Sequence, residues 1–190
     1  MELDWERYDA ALERNIAETS NAILKRRALI GLHSADSSHH GPLDFFEIAA
    51  HALYNDLIAH AARVFDRHPD VASFWYVVRC DEASARAQAS ALGVDLDELG
   101  VLADKLKGVR DKTLFHIDKK AVANPKLVWA SAEIKGAALG SALDGAFPVL
   151  AGLYFKRRGV MKTVPDYDGS DAAKIIRAYK QVHPEVAIVV

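Results

Sequence analysis

Apolar residues recur at helical spacing along almost the whole chain, which confines the fold to helices packed on helices. From Leu3 to about Leu32, the residues Trp5, Tyr8, Leu12, Ile16, Ile23 and Ile30 fall three, four or seven apart and describe one long amphipathic helix with a charged outer side. It stops near Gly31, before the polar loop "HSADSSHHGP". A second helix starts at Pro42, a residue suited to a first turn, and runs to about Arg67. Its core stripe is Phe46, Ala50, Leu53, Leu57, Ala61 and Val64. "HPD" at His68 to Asp70 breaks the chain, and Asp70 is placed to cap a short helix running through Cys80.

A further short helix is expected from Glu82 to Leu92, ending at Gly93. Asp95 or Asp97 then opens a longer one with Leu99, Leu102, Leu106 and Val109 on its apolar side, ending before Pro125. "KLVWAS" is too short to assign. An Ala/Gly-rich helix follows from about Ala130 to Arg157, with Pro148 marking a kink or a break. The last helix, Ser170 to Val182, begins at a Ser-Asp signal and stops before Pro184. The terminal "EVAIVV" has strand-like composition without a sequence-adjacent partner and stays unassigned. The expectation is an all-α helical bundle in a single domain over residues 1–190, with a core of about 40–122 and flanking helices at 3–32 and 130–182.

Composition narrows the function classes. At 190 residues the chain is long enough for a sizeable core, and 51% hydrophobic with 26% charged residues is the make-up of a globular protein rather than a disordered one. A net charge of −2 gives no global attraction to nucleic acid or to an anionic membrane, so any such attraction must be local. The one cysteine, Cys80, excludes an internal disulfide and a Cys-based zinc site, and reads as a small buried apolar residue. The N-terminus lacks the basic start and apolar block of a signal peptide. Residues 136–155 hold one charge, Asp144, but are Ala/Gly-rich and interrupted by Pro148, which reads as a packed internal helix rather than a membrane span. A cytoplasmic protein is expected.

Local charge departs from the average between Lys105 and Lys120. Six basic residues (Lys105, Lys107, Arg110, Lys112, Lys119 and Lys120) face two acids, Asp111 and Asp118. Such a patch would attract phosphates, and less so at high salt; the bland alternative is a solvated helix face of alternating charge. Within it, Arg110 and His116 stand six residues apart. On an ideal helix that separation is about 240° of rotation and about 9 Å of rise, so the two are not neighbours on one face. A local distortion or a second subunit is needed to bring them together, whereas Lys112 and His116 are i,i+4 partners.

The eight histidines were weighed as metal ligands. His33, Asp36, His39 and His40 share a loop, and His51, Asn55, Asp56 and His60 lie along one helix, but His51 and His60 fall on opposite sides and no H-E-x-x-H pattern occurs. No metal and no cofactor is expected. The chain has no P-loop, dinucleotide fingerprint or nucleophile elbow; Gly136, Gly140 and Gly145 read as packing positions in a helix. Lys174, Arg177 and Lys180, preceded by Lys156, Arg157, Arg158 and Lys162, are either a solvated face or an extension of a nucleic-acid surface. Of the consecutive Phe74, Trp75 and Tyr76, two are expected in the core.

The spacing Arg110–His116 falls within the R-x(4-6)-H signature of the HEPN superfamily of helical nucleases, and "RDKTLFHIDKK" resembles the Arg-Asp-Lys…His-x-Asp-Lys form of its AbiU-type abortive-infection branch. Upstream, "ALYNDLIAHAARVFDRHPDVASFW" is similar to the preceding helix of that branch, with its Phe-Asp-Arg segment. The resemblance covers about residues 40–122 and departs from the commoner pattern at Asp111, where asparagine is frequent. It implies a metal-independent endoribonuclease, a toxin or phage-defence component, with His116 as general base or acid and Arg110 as phosphate holder. Asp111 would orient one of them, Lys105, Lys107, Lys112, Lys119 and Lys120 would bind RNA, and the products would carry 2′,3′-cyclic phosphate and 5′-hydroxyl ends. Implied partners are RNA, a second copy of the chain completing a composite site and, for a toxin, a cognate antitoxin. The alternative is a non-catalytic HEPN-like module that binds RNA or protein.

Overall fold

The computed structural model describes residues 4–35, 44–114 and 125–182. Those residues form an all-α bundle with eight α-helices and no strand: α1 (Trp5–Ala35), α2 (Asp44–Val64), α3 (Phe74–Cys80), α4 (Glu82–Ala91), α5 (Leu96–Val109), α6 (Pro125–Ala132), α7 (Gly136–Arg158) and α8 (Ser170–Val182). The expected terminal segment "EVAIVV" lies outside the described residues.

α1 is the central element, in contact with α2, α3, α7 and α8. Asp4 starts it by accepting the Arg7 N–H at 3.0 Å. Tyr8, Leu12, Ile16 and Ile23 are buried as their spacing predicts, and each such apolar side chain withdrawn from water contributes about 1.5–3 kcal/mol. Trp5 and Ile30 depart from the expected stripe, at 45% and 57% exposure. Trp5 lies instead under the Arg157 guanidinium, 4.0 Å from the ring centre. Near Ile30 the buried side of α1 turns to Leu29, Gly31 and Leu32, because the segment leading into α8 presses on Gly31. A Cβ on Gly31 would stand 2.0 Å from the Gly169 carbonyl oxygen, so the two backbones touch.

α2 buries Leu57, Ala61 and Val64 and half-buries Phe46, Ala50 and Leu53, the expected stripe. Asp70 does not cap α3, contrary to expectation. The N-cap position is Ser73, whose hydroxyl accepts from no helix N–H and donates instead to the Asp66 carbonyl. α4 ends as predicted at Gly93, whose φ of 67° is the left-handed conformation that glycine takes without strain. Of the two aspartates offered as the cap of α5, the structure uses Asp95, which accepts the Asp97 and Glu98 N–H groups at 2.8 and 3.1 Å. Leu99, Leu102, Leu106 and Val109 all face inward.

The helix expected from Ala130 to Arg157 is two helices. α6 takes in the whole of "KLVWAS", the chain turns at Glu133 with φ of 50°, and α7 begins at Gly136. α7 then runs through Pro148 without ending and stops at Gly159 in the left-handed conformation. It is long and apolar enough to cross a membrane, but 61% of its most apolar window is buried in the protein, as in the inner helix of a bundle. Gly140 makes room for the Arg26 side chain and Gly152 for Gln88, while Gly145 faces Val94; these glycines admit side chains, not a second backbone, and Gly136 faces open space. Cys80 is half-buried and free.

Candidate functional site

Arg110 begins one turn of π-helix, Arg110–Leu114, that continues directly from α5. A π turn inserts extra backbone per turn, so the ideal-helix rotation does not hold over Arg110–Leu114. His116, Lys119 and Lys120 lie outside the described residues.

The Arg110 side chain is 21% exposed and is held on two sides. Its Nη1 donates to Asp66 Oδ2; its Nε donates to Asp111 Oδ1 at 2.9 Å, and Nη2 lies 2.8 Å from the same oxygen. Asp66 comes from the stretch just after α2, where its Oδ1 accepts the His68 N–H at 2.9 Å. Its side chain is only 9% exposed, so it presents a fixed carboxylate to the arginine. Burial by itself would lower the Arg110 pKa, but the hydrogen bonds and charges of Asp66 and Asp111 outweigh it and raise it further. Asp111 is the reverse case: burial pushes its carboxyl up, and Lys107 and Arg110 more than offset that and hold it below the usual range. Lys107 Nζ donates to Asp111 Oδ2 at 2.8 Å from one turn earlier.

The surroundings are tied down as well. Arg67, next to Asp66, pairs with Asp104 of α5 at 3.0 Å and stacks over Trp75 at 5.4 Å. Phe74 is wholly buried against Phe65, while Trp75 and Tyr76 are half-buried against the core, so all three consecutive aromatics pack on it to some degree. Of the candidate RNA-binding lysines, Lys107 is committed to Asp111. Lys105 is half-buried and Lys112 exposed, and neither has a carboxylate partner among the described residues. Asp66 is the member of this cluster that spacing did not single out. The sole signal was its place in the Phe-Asp-Arg segment; nothing in the sequence shows that the end of α2 meets the end of α5.

A second polar cluster joins α1 to α2. Glu18 and His60 are buried. His60 Nδ1 lies 2.5 Å from Glu18 Oε2, and its Nε2 accepts from Lys25 Nζ at 3.0 Å. Arg63 and Arg14 add bonds of 2.9 and 2.6 Å to Glu18, and Lys25 also reaches Asp56 at 2.9 Å. The helix on which histidines were weighed as ligands thus spends His60 on helix pairing, and His51 lies exposed on another side. Among the described residues no group of three His, Cys, Asp or Glu side chains is arranged to hold a metal ion. Of the basic residues near the end of α7, Arg157 grips Asp9 at 2.8 and 2.9 Å and Arg158 joins it at 3.0 Å, which ties both to α1 while Arg158 stays half exposed.

Fold and site together define an all-α bundle carrying an arginine clamped between two carboxylates where α2 and α5 end. No family model, curated protein or solved structure matches the chain.

Proposed function

We propose that the protein is a metal-independent endoribonuclease of the HEPN type, a toxin or abortive-infection component acting in the cytoplasm. The observation that carries this reading is Arg110. Its guanidinium is oriented by Asp66 yet partly open to solvent, on a helical segment that also carries Lys105 and Lys112, as suits a group that receives a phosphodiester through paired hydrogen bonds. In the proposed reaction His116 takes the proton of the ribose 2′-hydroxyl or delivers one to the departing 5′-oxygen, for which a side chain titrating near neutrality is suited. The 2′-oxygen attacks the adjacent phosphorus, the bond to the 5′-oxygen breaks, and the proton leaves on that oxygen. Arg110 stabilises the charge gathering on the phosphorane oxygens. A second copy of the chain, bringing its own motif, would complete a composite cleft, and a cognate antitoxin is the natural inhibitor of such a site.

The test is cleavage of RNA in excess EDTA by the wild type, His116→Ala and Arg110→Ala. The wild type is expected to leave 2′,3′-cyclic phosphate ends, with each variant slower by about a hundredfold or more. Intact RNA in every reaction, or equal cleavage by all three proteins, would overturn the assignment. A specific observation favours a second reading, a non-catalytic module that binds RNA or protein: three N–H groups of Arg110 already face carboxylates. RNA bound but left intact by the wild type is the outcome that selects it.

A further inference from the structure

We propose that Asp111 is a displaceable latch on Arg110, occupying the edge of the guanidinium that an RNA phosphodiester takes when it binds. The inference rests on Arg110 being the phosphate-binding group.

The two carboxylates on Arg110 are built differently. Asp66 is 9% exposed and anchored to the backbone by the His68 N–H, and it takes only Nη1. Asp111 is 38% exposed and places a single oxygen, Oδ1, against both Nε and Nη2. The Nε/Nη2 side is one of the forked edges on which arginine grips a phosphate or carboxylate with two parallel bonds. One oxygen shared between two donors is a poorer match to that fork than the two non-bridging oxygens of a phosphodiester.

Displacement also leaves Asp111 with a partner. Its second oxygen, Oδ2, already accepts from Lys107 at 2.8 Å. When the guanidinium edge passes to a phosphate, the carboxylate keeps Lys107 and stays solvated, so no charge is orphaned. Asp66 has no such alternative cation at ion-pair distance among the described residues, and it remains to hold the guanidinium in place. The free state is thus close to electrically neutral, with Arg110 and Lys107 facing Asp66 and Asp111. Asp111 thereby sets a threshold for weakly bound anions at the place where the superfamily commonly carries an uncharged asparagine.

The experiment is binding of a short fluorescent 2′-O-methyl RNA oligonucleotide, which resists cleavage, to wild type, Asp111→Asn, Arg110→Ala and the double variant, by anisotropy at constant salt. Asp111→Asn is expected to bind up to about fivefold more tightly, the range set by a half-exposed ion pair, and the gain is expected to vanish when Arg110 is alanine. Unchanged affinity in Asp111→Asn would overturn the latch, as would an equal gain in the double variant, which would mean simple removal of negative charge. Wild-type affinity in Arg110→Ala would instead overturn the phosphate-binding reading of Arg110, and the latch with it. Comparison with Asp66→Asn separates the two carboxylates: that variant is expected to bind no more tightly than wild type, and a gain like that of Asp111→Asn would overturn the division of roles.

Discussion

At the scale of single residues, Gly31 and Gly169 are the described glycines on which another stretch of backbone presses directly. Gly169 has φ of 79°, and a Cβ there would stand 2.1 Å from the Arg27 carbonyl oxygen, just as one on Gly31 would meet Gly169. Backbone cannot yield as a flexible side chain can. Gly169→Ala is therefore expected to cost at least about 2 kcal/mol, combining left-handed strain with the displacement of α8 from α1. A denaturant midpoint compared with Gly136→Ala, which meets open space, provides the check. Gly136 should tolerate the change or gain from it. The sequence marked Gly136, Gly140 and Gly145 because they recur within one helix; it read Gly31 as the end of α1, which instead continues to Ala35, and it passed over Gly169. Their partnership spans more than a hundred residues, and neither has a local pattern to announce it.

At the scale of elements, helical spacing and end signals predicted α1, α2, α4 and α8 to within a few residues, and the start of α5, whose helix gives way to the π turn after Val109 instead of running on toward Pro125. They failed between α6 and α7. There the chain reverses at a glutamate, Glu133, held at φ of 50°, without the glycine or proline that punctuates most such turns. Glu133→Gly should raise stability by up to about 1 kcal/mol, since glycine accepts that conformation without the Cβ penalty; a rise in the thermal midpoint is the expected sign, and a fall would mean that the Glu133 side chain matters more than its backbone. At Pro148, where a kink or a break was expected, α7 does not break. A proline inside a helix removes one hydrogen bond, and the packing of Phe147, Val149 and Leu150 on either side of it holds α7 continuous. The candidate site was legible in half. Arg110 and Asp111 stood out by composition and spacing, whereas Asp66 entered by tertiary contact alone.

At the scale of the whole molecule, the helices are pinned to each other by carboxylates. Asp9 of α1 is held below its usual pKa by hydrogen bonds from Arg157 of α7, against the opposing effect of burial. Burial would raise Glu18, but His60 and Arg63 of α2 outweigh it and lower it. Asp56 is lowered first by its hydrogen bond to Lys25 of α1. Groups depressed in the folded state stabilise it at pH values above the unfolded carboxylate range, near 4, and lose that effect as the pH falls through their folded values. The protein should therefore hold its stability through neutral pH and unfold steeply in acid, with α1 coming away from α2 and α7 together. Following helical circular dichroism against denaturant at descending pH reads this directly. Asp9→Asn is expected to lower stability at pH 7 by about 2–3 kcal/mol, less than a fully buried pair because Arg158 is half in water, and to flatten the acid slope. A slope equal to wild type would move the acid sensitivity elsewhere.

The π turn at Arg110–Leu114 amounts to one residue more than an α-helix of the same span would use. Counted that way, it is a length variation that the fold has absorbed without a loop. Removing a single residue there, Lys112 for instance, would restore regular helix over the same span. The core beneath would stay intact, since Leu106 and Val109 precede the turn. A chain one residue shorter should thus fold as well as this one, which makes the π turn a place where chain length can vary without altering stability.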